Sequence, residues 1–567
     1  MKHKPSTRFQ LACIVCASLF VNAAGAADDP SSSNSIPVTI RVDAARSLGP
    51  MKPIWRFFGA DEPNYAYMKD GRRLISELGE LRPNQVYFRA HNLLTSGDGT
   101  PALKWGSSNA YTEDANGNPI YNWTILDRIF DAYRARNVRP YAEIGFMPEA
   151  LSVHPEPYQH EWRPGLKYDV IGTGWSYPPK DYAKWAGLVY QWVKHCVDRY
   201  GANEVSKWYW EVWNEANGSA YWHASPEEFF KLHDFAIDAV RRALPTARVG
   251  GPDLAGFGGK FMRDFINHVV SGTNYATGRI GTPEDFISFH AKGAPGFVDG
   301  HVRLGIAAQL REINRGFGLI AGVPEMKSKP IIIGESDPDG CAACQGASLG
   351  YRNTTMYSSY TAASFAREFE LADRYGVNLE GALTWAFEFE DQPYFAGQRV
   401  LASNGLDLPV LNVFRMFSRM GGQRIEASSS GAVSLDDMIK HGVRGQPDIS
   451  ALACMESNRL CVMVWYYHDD DLPGPEAAVS ISLDHLPFPD QAMKLVQYRI
   501  DEQHSNAFTE WKLMGAPTAP NEEQYARMQK AGQLAELGAP ENIPVAHGKA
   551  AIHIHLPRQG VALLVLE

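Results

Sequence analysis

Trp208–Asn217 reads WYWEVWNEAN. Trp208, Tyr209, Trp210, Val212 and Trp213 make a dense apolar run, the pattern of a strand buried on both faces, and the run stops at Asn-Glu-Ala-Asn, which is costly to bury. In a parallel barrel the carboxyl ends of the strands carry the reactive groups, so Glu215 is the first catalytic candidate. The run Lys329–Gly340, KPIIIGESDPDG, repeats the design: a β-branched strand, a glycine, then Glu335 where apolar character stops. Glycoside hydrolysis by the usual route needs two carboxyl groups flanking the scissile bond, and Glu335 is the expected partner of Glu215. At roughly 40 residues per strand-helix unit the two lie three units apart, which sets strands four and seven across the barrel mouth from each other. Strand parity places Glu211, Trp213 and Glu215 on one face and Ile331, Ile333 and Glu335 on another, so an inward-pointing row is expected to lead to a carboxylate in both strands. Glu211 lies deeper and is expected to be a buried structural partner.

Working outward, the other strands of an α/β (β/α)8 barrel are expected at Trp55–Asp61, Gln85–Asn92, Arg139–Met147, Arg248–Leu254, Phe286–Ala291 and Leu379–Phe389, with amphipathic helices at Met68–Leu81, Ile125–Arg136, Tyr182–Tyr200 and Tyr360–Tyr375. Ser225 and Glu228 have the spacing of a capping box for the helix after strand four. Beyond Gly421 and Gly422 the pattern changes to short strands at Leu460–Tyr467, Ala478–Leu483, Lys494–Ile500, Ala550–Leu556 and Val561–Leu566, the signature of a C-terminal β-sandwich. The expected organisation is a secretory leader over 1–26, a disordered segment over 27–36, a strand within 37–50 that joins the β-sandwich, a catalytic barrel over 51–420 and the sandwich over 421–567.

Several segments in order carry a family resemblance: WRFFGADEPNYAY from Trp55, FRAHNLLTSGDG from Phe88, EIGFMPEAL from Glu143, WNEAN from Trp213, FISFHAKGA from Phe286, IIIGES from Ile331 and GALTWAFEFED from Gly381. The set resembles glycoside hydrolase family 39, the family of β-xylosidases and α-L-iduronidases, over nearly the whole mature chain. The resemblance implies a retaining mechanism with Glu215 as acid/base and Glu335 as nucleophile. It puts a basic residue of the Arg89 and His91 pair near the nucleophile and makes Asn214 the amide that meets the sugar 2-hydroxyl. It also implies Trp385 as the stacking floor, with Glu388 or Glu390 bonding hydroxyls, and an arm near the site within Asp501–Trp511. His290 and Lys292 close strand six. A lysine at the second of these positions resembles the iduronidase branch, where it binds the substrate carboxylate, whereas the xylosidase branch tends to carry tyrosine there. Lys292 is thus expected either to read an acidic sugar or to pair with Glu388 or Glu390.

Composition narrows the function classes. A formal net charge of -10 and the absence of a Lys/Arg cluster exclude a nucleic-acid partner, and 14 tryptophans suit sugar stacking. Lys2, Lys4 and Arg8, then Leu11–Val21 and Ala24-Gly25-Ala26, have the form of a secretory signal, and no later run is long enough for a membrane span, so an exported protein, periplasmic or extracellular, is expected with no membrane partner. Cleavage leaves Cys196, Cys341, Cys344, Cys454 and Cys461, an odd set; Cys341 with Cys344 and Cys454 with Cys461 are the two possible bridges. No metal-ligand spacing, phosphate loop or nucleophile elbow occurs, so no cofactor is expected. The reading is a retaining exo-glycosidase that removes terminal β-D-xylosyl residues from xylo-oligosaccharides, a small oligosaccharide substrate, by double displacement. An α-L-arabinosidase or iduronidase-like uronidase is the alternative, and a non-catalytic carbohydrate-binding protein a third reading.

Overall fold

The computed structural model describes residues 35–159, 172–488 and 491–567. The expected leader and nearly all of the expected disordered segment lie outside the described residues. Eight parallel strands close on themselves: β1 (Phe57–Ala60), β2 (Val86–Ala90), β3 (Val138–Ile144), β4 (Tyr209–Val212), β5 (Arg248–Leu254), β6 (Ile287–Lys292), β7 (Pro330–Asp337) and β8 (Asn378–Thr384). Each pairs with its sequence neighbour, and β8 returns to β1. The expected strands are all present, β5 with the expected bounds and the others with ends shifted, β7 running on to Asp337. β8 stops at Thr384 instead of Phe389, because the Trp385 amide turns to donate to Asp337 Oδ1 (3.0 Å).

The helices form where the apolar period and a cap coincide. Tyr182–Tyr200 begins at Asp181, whose carboxylate accepts from the amides of Ala183 and Lys184, and it buries Trp185, Val189, Trp192 and Cys196. Pro226–Ala243 starts on the Ser225 hydroxyl, which takes the Glu228 amide, but the reciprocal half of the box is absent. The Glu228 carboxylate accepts from Tyr182 OH instead. Among the described residues no helix is long and apolar enough to cross a membrane.

Inside the barrel, side chains two apart on each strand fall into layers. The lowest holds Phe57, Tyr87, Tyr141, Tyr209 and Phe286, with ring centroids between 4.9 Å (Tyr87 and Tyr209) and 6.2 Å (Phe57 and Tyr141). One step up, Arg89, Glu143, Glu211 and Ser288 form a fully buried polar layer. Gly59 occupies that level on β1, and a Cβ there would overlap the Trp385 ring. The mouth layer holds Asp61, His91, His290 and Lys292.

The accessory β domain is one continuous mixed sheet, curled so that its two halves face each other, and not two separate sheets. From one edge to the other it runs Ala535–Glu536, Ala492–Ile500, Val561–Leu566, Arg459–Tyr467, Asp448–Glu456, Gln423–Ser429, Ile36–Pro50, Ala477–Asp484 and Ala550–Leu556, with Glu541–Pro544 also on Ala492–Ile500. Ile36–Pro50 links the halves, antiparallel to Gln423–Ser429 and parallel to Ala477–Asp484. One apolar cluster collects Val38, Ile40, Val464, Ile481, Ile554 and Leu564 from strands across the whole sheet. Arg367 on the barrel side donates to Asp448 (2.9 Å) and Arg303 pairs with Asp470 (2.5 Å), joining sheet to barrel. The Asp501–Trp511 arm contains a short helix from Ala507, and its Phe508 and Trp511 rings pack at a tilt against Phe395 in the loop after β8 (5.4 and 5.2 Å). Cys341 and Cys344 are disulfide-bonded, whereas Cys454 and Cys461 face each other across paired strands as free thiols.

Candidate active site

Glu215 and Glu335 both reach the barrel mouth, but neither arrives by strand parity. β4 ends at Val212, and Trp213 (φ 71°) and Glu215 (φ 47°) then adopt left-handed backbone, which is uncommon outside glycine and marks a shaped turn. Trp213 leaves the inward row, and its indole donates to Tyr221 O (3.0 Å) while its ring meets Phe146 and Trp222. The Glu215 amide is anchored on Asp253 O (2.8 Å). On β7, Ile331 and Ile333 pair with Ile287 and Phe289, and Phe289 packs against Phe317 of the outer helix layer, so both isoleucines face out. A bulge at Gly334 resets the register and turns Glu335 inward beside His290. Glycine is required there because a Cβ would overlap the Asp253 carboxylate.

His290 sits between the two glutamates. Its Nδ1 is 2.8 Å from Glu215 Oε1, and its Nε2 is 2.7 Å from Asp253 Oδ2 and 3.8 Å from Glu335 Oε1. Burial works against a charged imidazole, but Asp253 and Glu335 outweigh it and hold the His290 pKa well above its ordinary value. Both ring nitrogens thus face carboxyl oxygens. Glu335 is buried with 8% of its side chain exposed, against 24% for Glu215. Burial alone would protonate Glu335, yet the charged His290, Lys292 and Arg89 around it drive its pKa far down and hold it ionised.

Beneath them one guanidinium serves three carboxyl groups. Arg89 contacts Glu211 Oε2 (2.5 Å), Glu143 Oε2 (2.7 Å) and Asp253 Oδ2 (2.5 Å), donates to Asn214 Oδ1 (3.1 Å) and lies 3.7 Å from Glu335. Three buried negative charges on one cation would be prohibitive, and the protons distribute accordingly. Burial pushes Glu143 well above the carboxylate range and Glu211 to about 7, while Arg89 and His290 hold Asp253 below it. His91 is kept neutral by burial and by Arg89. Glu143 Oε2 lies 2.6 Å from His91 Nδ1, and the other ring nitrogen, Nε2, faces Asp61 (3.5 Å) and Glu335 (3.8 Å).

Lys292 does not pair with Glu388 or Glu390. Its ammonium bridges Glu335 Oε2 and Asp337 Oδ2, each at 2.5 Å. Trp385 lies against His91 (4.3 Å between rings) with the Arg89 guanidinium 5.1 Å from its centre, and Arg399 holds its carbonyl through Nε (3.2 Å) and Nη2 (3.1 Å). Glu390 Oε1 takes the amides of Asp70 and Gly71 (2.9 Å each), capping the helix Lys69–Leu81. Glu388 accepts from the Gly405 amide (2.8 Å), and burial raises it to about 8. Each glutamate thus spends one carboxyl oxygen, Oε1, on backbone amides around the loop after β8. The groups brought together are therefore Glu215, Glu335, Arg89, His91, Asn214, His290, Lys292 and Trp385. Among the described residues no group of His, Cys, Asp and Glu could hold a metal ion.

The sequence profile of glycosyl hydrolases family 39 matches residues 38–544. The chain belongs to glycosyl hydrolase family 39. A β-xylosidase of Geobacillus stearothermophilus is 35% identical over 248 residues, 42% of this chain and 43% of that protein. A β-xylosidase of Caldicellulosiruptor saccharolyticus is 24% identical over 87% of this chain and 91% of that one, and an α-L-iduronidase of Mus musculus 26% identical over 93% and 80%. Among solved structures, a monomeric β-xylosidase from Caulobacter crescentus superposes with a TM-score of 0.71 at 20% identity, covering 93% of this chain and 99% of that one.

For this family 39 hydrolase, sequence reasoning missed Asp61, Glu143, Asp253 and Asp337. All four are polar residues at or next to strand carboxyl ends, and Glu143 lies in the EIGFM segment that carried the resemblance. The readable signal was position: every polar residue closing a barrel strand faces the same mouth.

Proposed function

We propose that this chain is a retaining β-D-xylosidase that acts on terminal residues of neutral oligosaccharides. Glu335 attacks the anomeric carbon while Glu215, hydrogen-bonded to His290, protonates the leaving oxygen. Water activated by Glu215 then releases the sugar from Glu335. The Asn214 amide nitrogen, with its oxygen fixed on Arg89, is oriented toward the 2-hydroxyl, and Trp385 supplies the apolar floor. The observation that carries the neutral-sugar reading is Lys292: its ammonium is already held by Glu335 and Asp337 at 2.5 Å each. Arg89, Lys104 and Arg399 likewise face carboxylates. An anionic glycone would add a charge to a mouth whose cations are already matched.

Lys292 also favours a second reading, an iduronidase-like uronidase, supported by the long match to α-L-iduronidase. The test is kcat/KM on aryl β-D-xyloside, α-L-arabinoside and α-L-iduronide, with NMR of the first-formed anomer. A dominant xyloside with retained configuration is expected; a dominant iduronide overturns the substrate assignment, and inversion overturns the mechanism. We further propose export of the mature protein, supported by the leader pattern and by the Cys341–Cys344 disulfide, which persists in an oxidising compartment.

A further inference from the structure

The stretch of β7 that carries Glu335 is paired on one side only. Up to Ile333 the strand pairs with both β6 and β8; past the Gly334 bulge its pairing with β8 has ended, and Glu335, Ser336 and Asp337 pair with His290, Ala291 and Lys292 of β6 alone. Glu335 and Asp337 point into the mouth toward Lys292, and Ser336 between them points outward, to the layer between barrel and helices. Ile331 and Ile333 meet that layer with apolar side chains, but Ser336 meets a polar network. Its hydroxyl donates to Glu368 Oε1 (2.6 Å) and accepts from Gln309 Nε2 (2.8 Å). Gln309 Oε1 in turn accepts from the Tyr360 hydroxyl (2.7 Å) and from Ser364 Oγ (2.8 Å). Gln309 belongs to the helix Ile306–Ala321, and Tyr360, Ser364 and Glu368 to the helix Thr355–Tyr375. All five side chains are buried.

These side chains lie behind the barrel wall and take no part in the catalytic steps above. A hydrogen bond inside a protein adds only modest net stability, whereas a connected buried network restricts the groups it joins to few arrangements. Here the restricted group is the one residue that separates Glu335 from Asp337, at the level where β8 no longer holds the strand. The network also bears on β6: a Cβ at Gly293, the residue after Lys292, would overlap the Tyr360 hydroxyl and Pro338 O. It therefore backs both strand ends that meet in the Lys292–Glu335 contact. Resting on the glycosidase reading above, we propose that Glu368 and Gln309 are positioning residues, which act through Ser336 in place of the lost β8 pairing and fix where the Glu335 carboxylate stands in the mouth. Burial lifts the Glu368 carboxyl to about 8, so near neutral pH it is uncharged and a glutamine there keeps both its charge state and its acceptor oxygen.

The experiment compares wild type with Ser336→Ala, Glu368→Leu, Glu368→Gln and the double variant Ser336→Ala/Glu368→Leu, each as the full chain. The first readout needs no substrate: amide hydrogen exchange followed by mass spectrometry. In Ser336→Ala and Glu368→Leu, peptides covering residues 334–337 are expected to exchange roughly tenfold faster, while those of β2 and β3 keep wild-type rates. The second readout is single-turnover kinetics on the aryl glycoside that wild type turns over best. The step that joins the sugar to Glu335 is expected to slow on the order of ten- to a hundredfold in either single variant, with substrate affinity kept. The double variant should be no slower than the worse single one, because both cut the same tie, and Glu368→Gln should stay close to wild type. Unchanged exchange at residues 334–337, or an equal rise in every barrel strand, would overturn the positioning role. So would wild-type single-turnover rates in both Ser336→Ala and Glu368→Leu, or a Glu368→Gln variant as slow as Glu368→Leu. Should Glu368→Leu fail to fold, Ser336→Ala, which removes one hydroxyl, carries both readouts. A wild type that prefers the iduronide removes the xylosidase reading and one that turns over no glycoside removes the glycosidase reading, and in either case the exchange still decides whether the network holds the strand end.

Discussion

The carboxyl ends of β4 and β7 deliver the same side chain to the same mouth by different means. Glu215 arrives through left-handed backbone, is 24% exposed and is held by a single imidazole. Glu335 arrives through a bulge, is 8% exposed and lies against the Lys292 ammonium. The difference supports the proposed roles, because environment sets the state of each group. A group that must gain and lose a proton stands near solvent on a titratable partner, and one that must stay ionised is buried among cations.

The comparison breaks most visibly by deleting each carboxylate. Glu335→Ala is expected to lose on the order of 10⁴-fold or more in kcat on every substrate, because no covalent intermediate forms. Glu215→Ala is expected to lose roughly 10²–10⁴-fold on alkyl or oligosaccharide leaving groups, and far less in the first step on a dinitrophenyl glycoside, which departs without protonation. Burst and steady-state kinetics on matched substrates check this, and equal losses for both variants on both leaving groups would erase the distinction.

The route of β7 is tested by Gly334→Ala. The new Cβ overlaps the Asp253 carboxylate, so Asp253 or the bulge must move, and with it the His290 anchor and Glu335. Displacement by about an ångström at a reacting group costs on the order of a hundredfold, so kcat should fall by that scale while Glu215-dependent leaving-group sensitivity persists. Wild-type kcat in this variant would mean that the bulge does not position the nucleophile.

The smallest expected change sharpens the electrostatic half of the contrast. Lys292→Met removes one of the charges that hold the Glu335 pKa down, so the acid limb of kcat/KM should move to higher pH, with the neutral-pH rate changed less. The stability sign follows the same pKa. A carboxylate held below its ordinary value favours the fold above the unfolded carboxylate range, and that gain is lost as pH falls. The variant should therefore gain less in thermal midpoint between acid and neutral pH than wild type. An unmoved acid limb would show that Lys292 does not tune the nucleophile.

Much of the fold and of the site is legible in the amino-acid sequence. Alternating apolar strands and capped helices set the barrel order, and polar stops after apolar runs mark Glu215 and Glu335, because burying a carboxylate in a strand is too costly to occur by chance. What parity does not show is a change of backbone hand at Trp213 or an added residue at Gly334. Both are decided by tertiary contacts, one with Phe146 and Trp222, the other with Asp253. Nor does the pattern of the loop after β8 show that Glu390 also serves the fold, taking the amides of Asp70 and Gly71 at the start of helix Lys69–Leu81. The curl of the second sheet is hidden for a related reason: Gln423–Ser429 and Asp448–Glu456 are weakly patterned strands that make sense only once paired.

The strand Ile36–Pro50 lies in the interior of that sheet, yet its partners Gln423–Ser429 and Ala477–Asp484 are made after the whole barrel, the first almost four hundred residues later and the second more than four hundred. During synthesis it must wait, unpaired, while the whole barrel emerges, with an exposed edge of the kind that invites misassociation. Contacts so distant along the chain also slow folding. A fragment that begins after the barrel would lack the strand that joins the two halves of its sheet, and its apolar core would open along the seam. The accessory domain is thus not a detachable module: it is tied through the first and last thirds of one polypeptide, with the catalytic barrel enclosed between them.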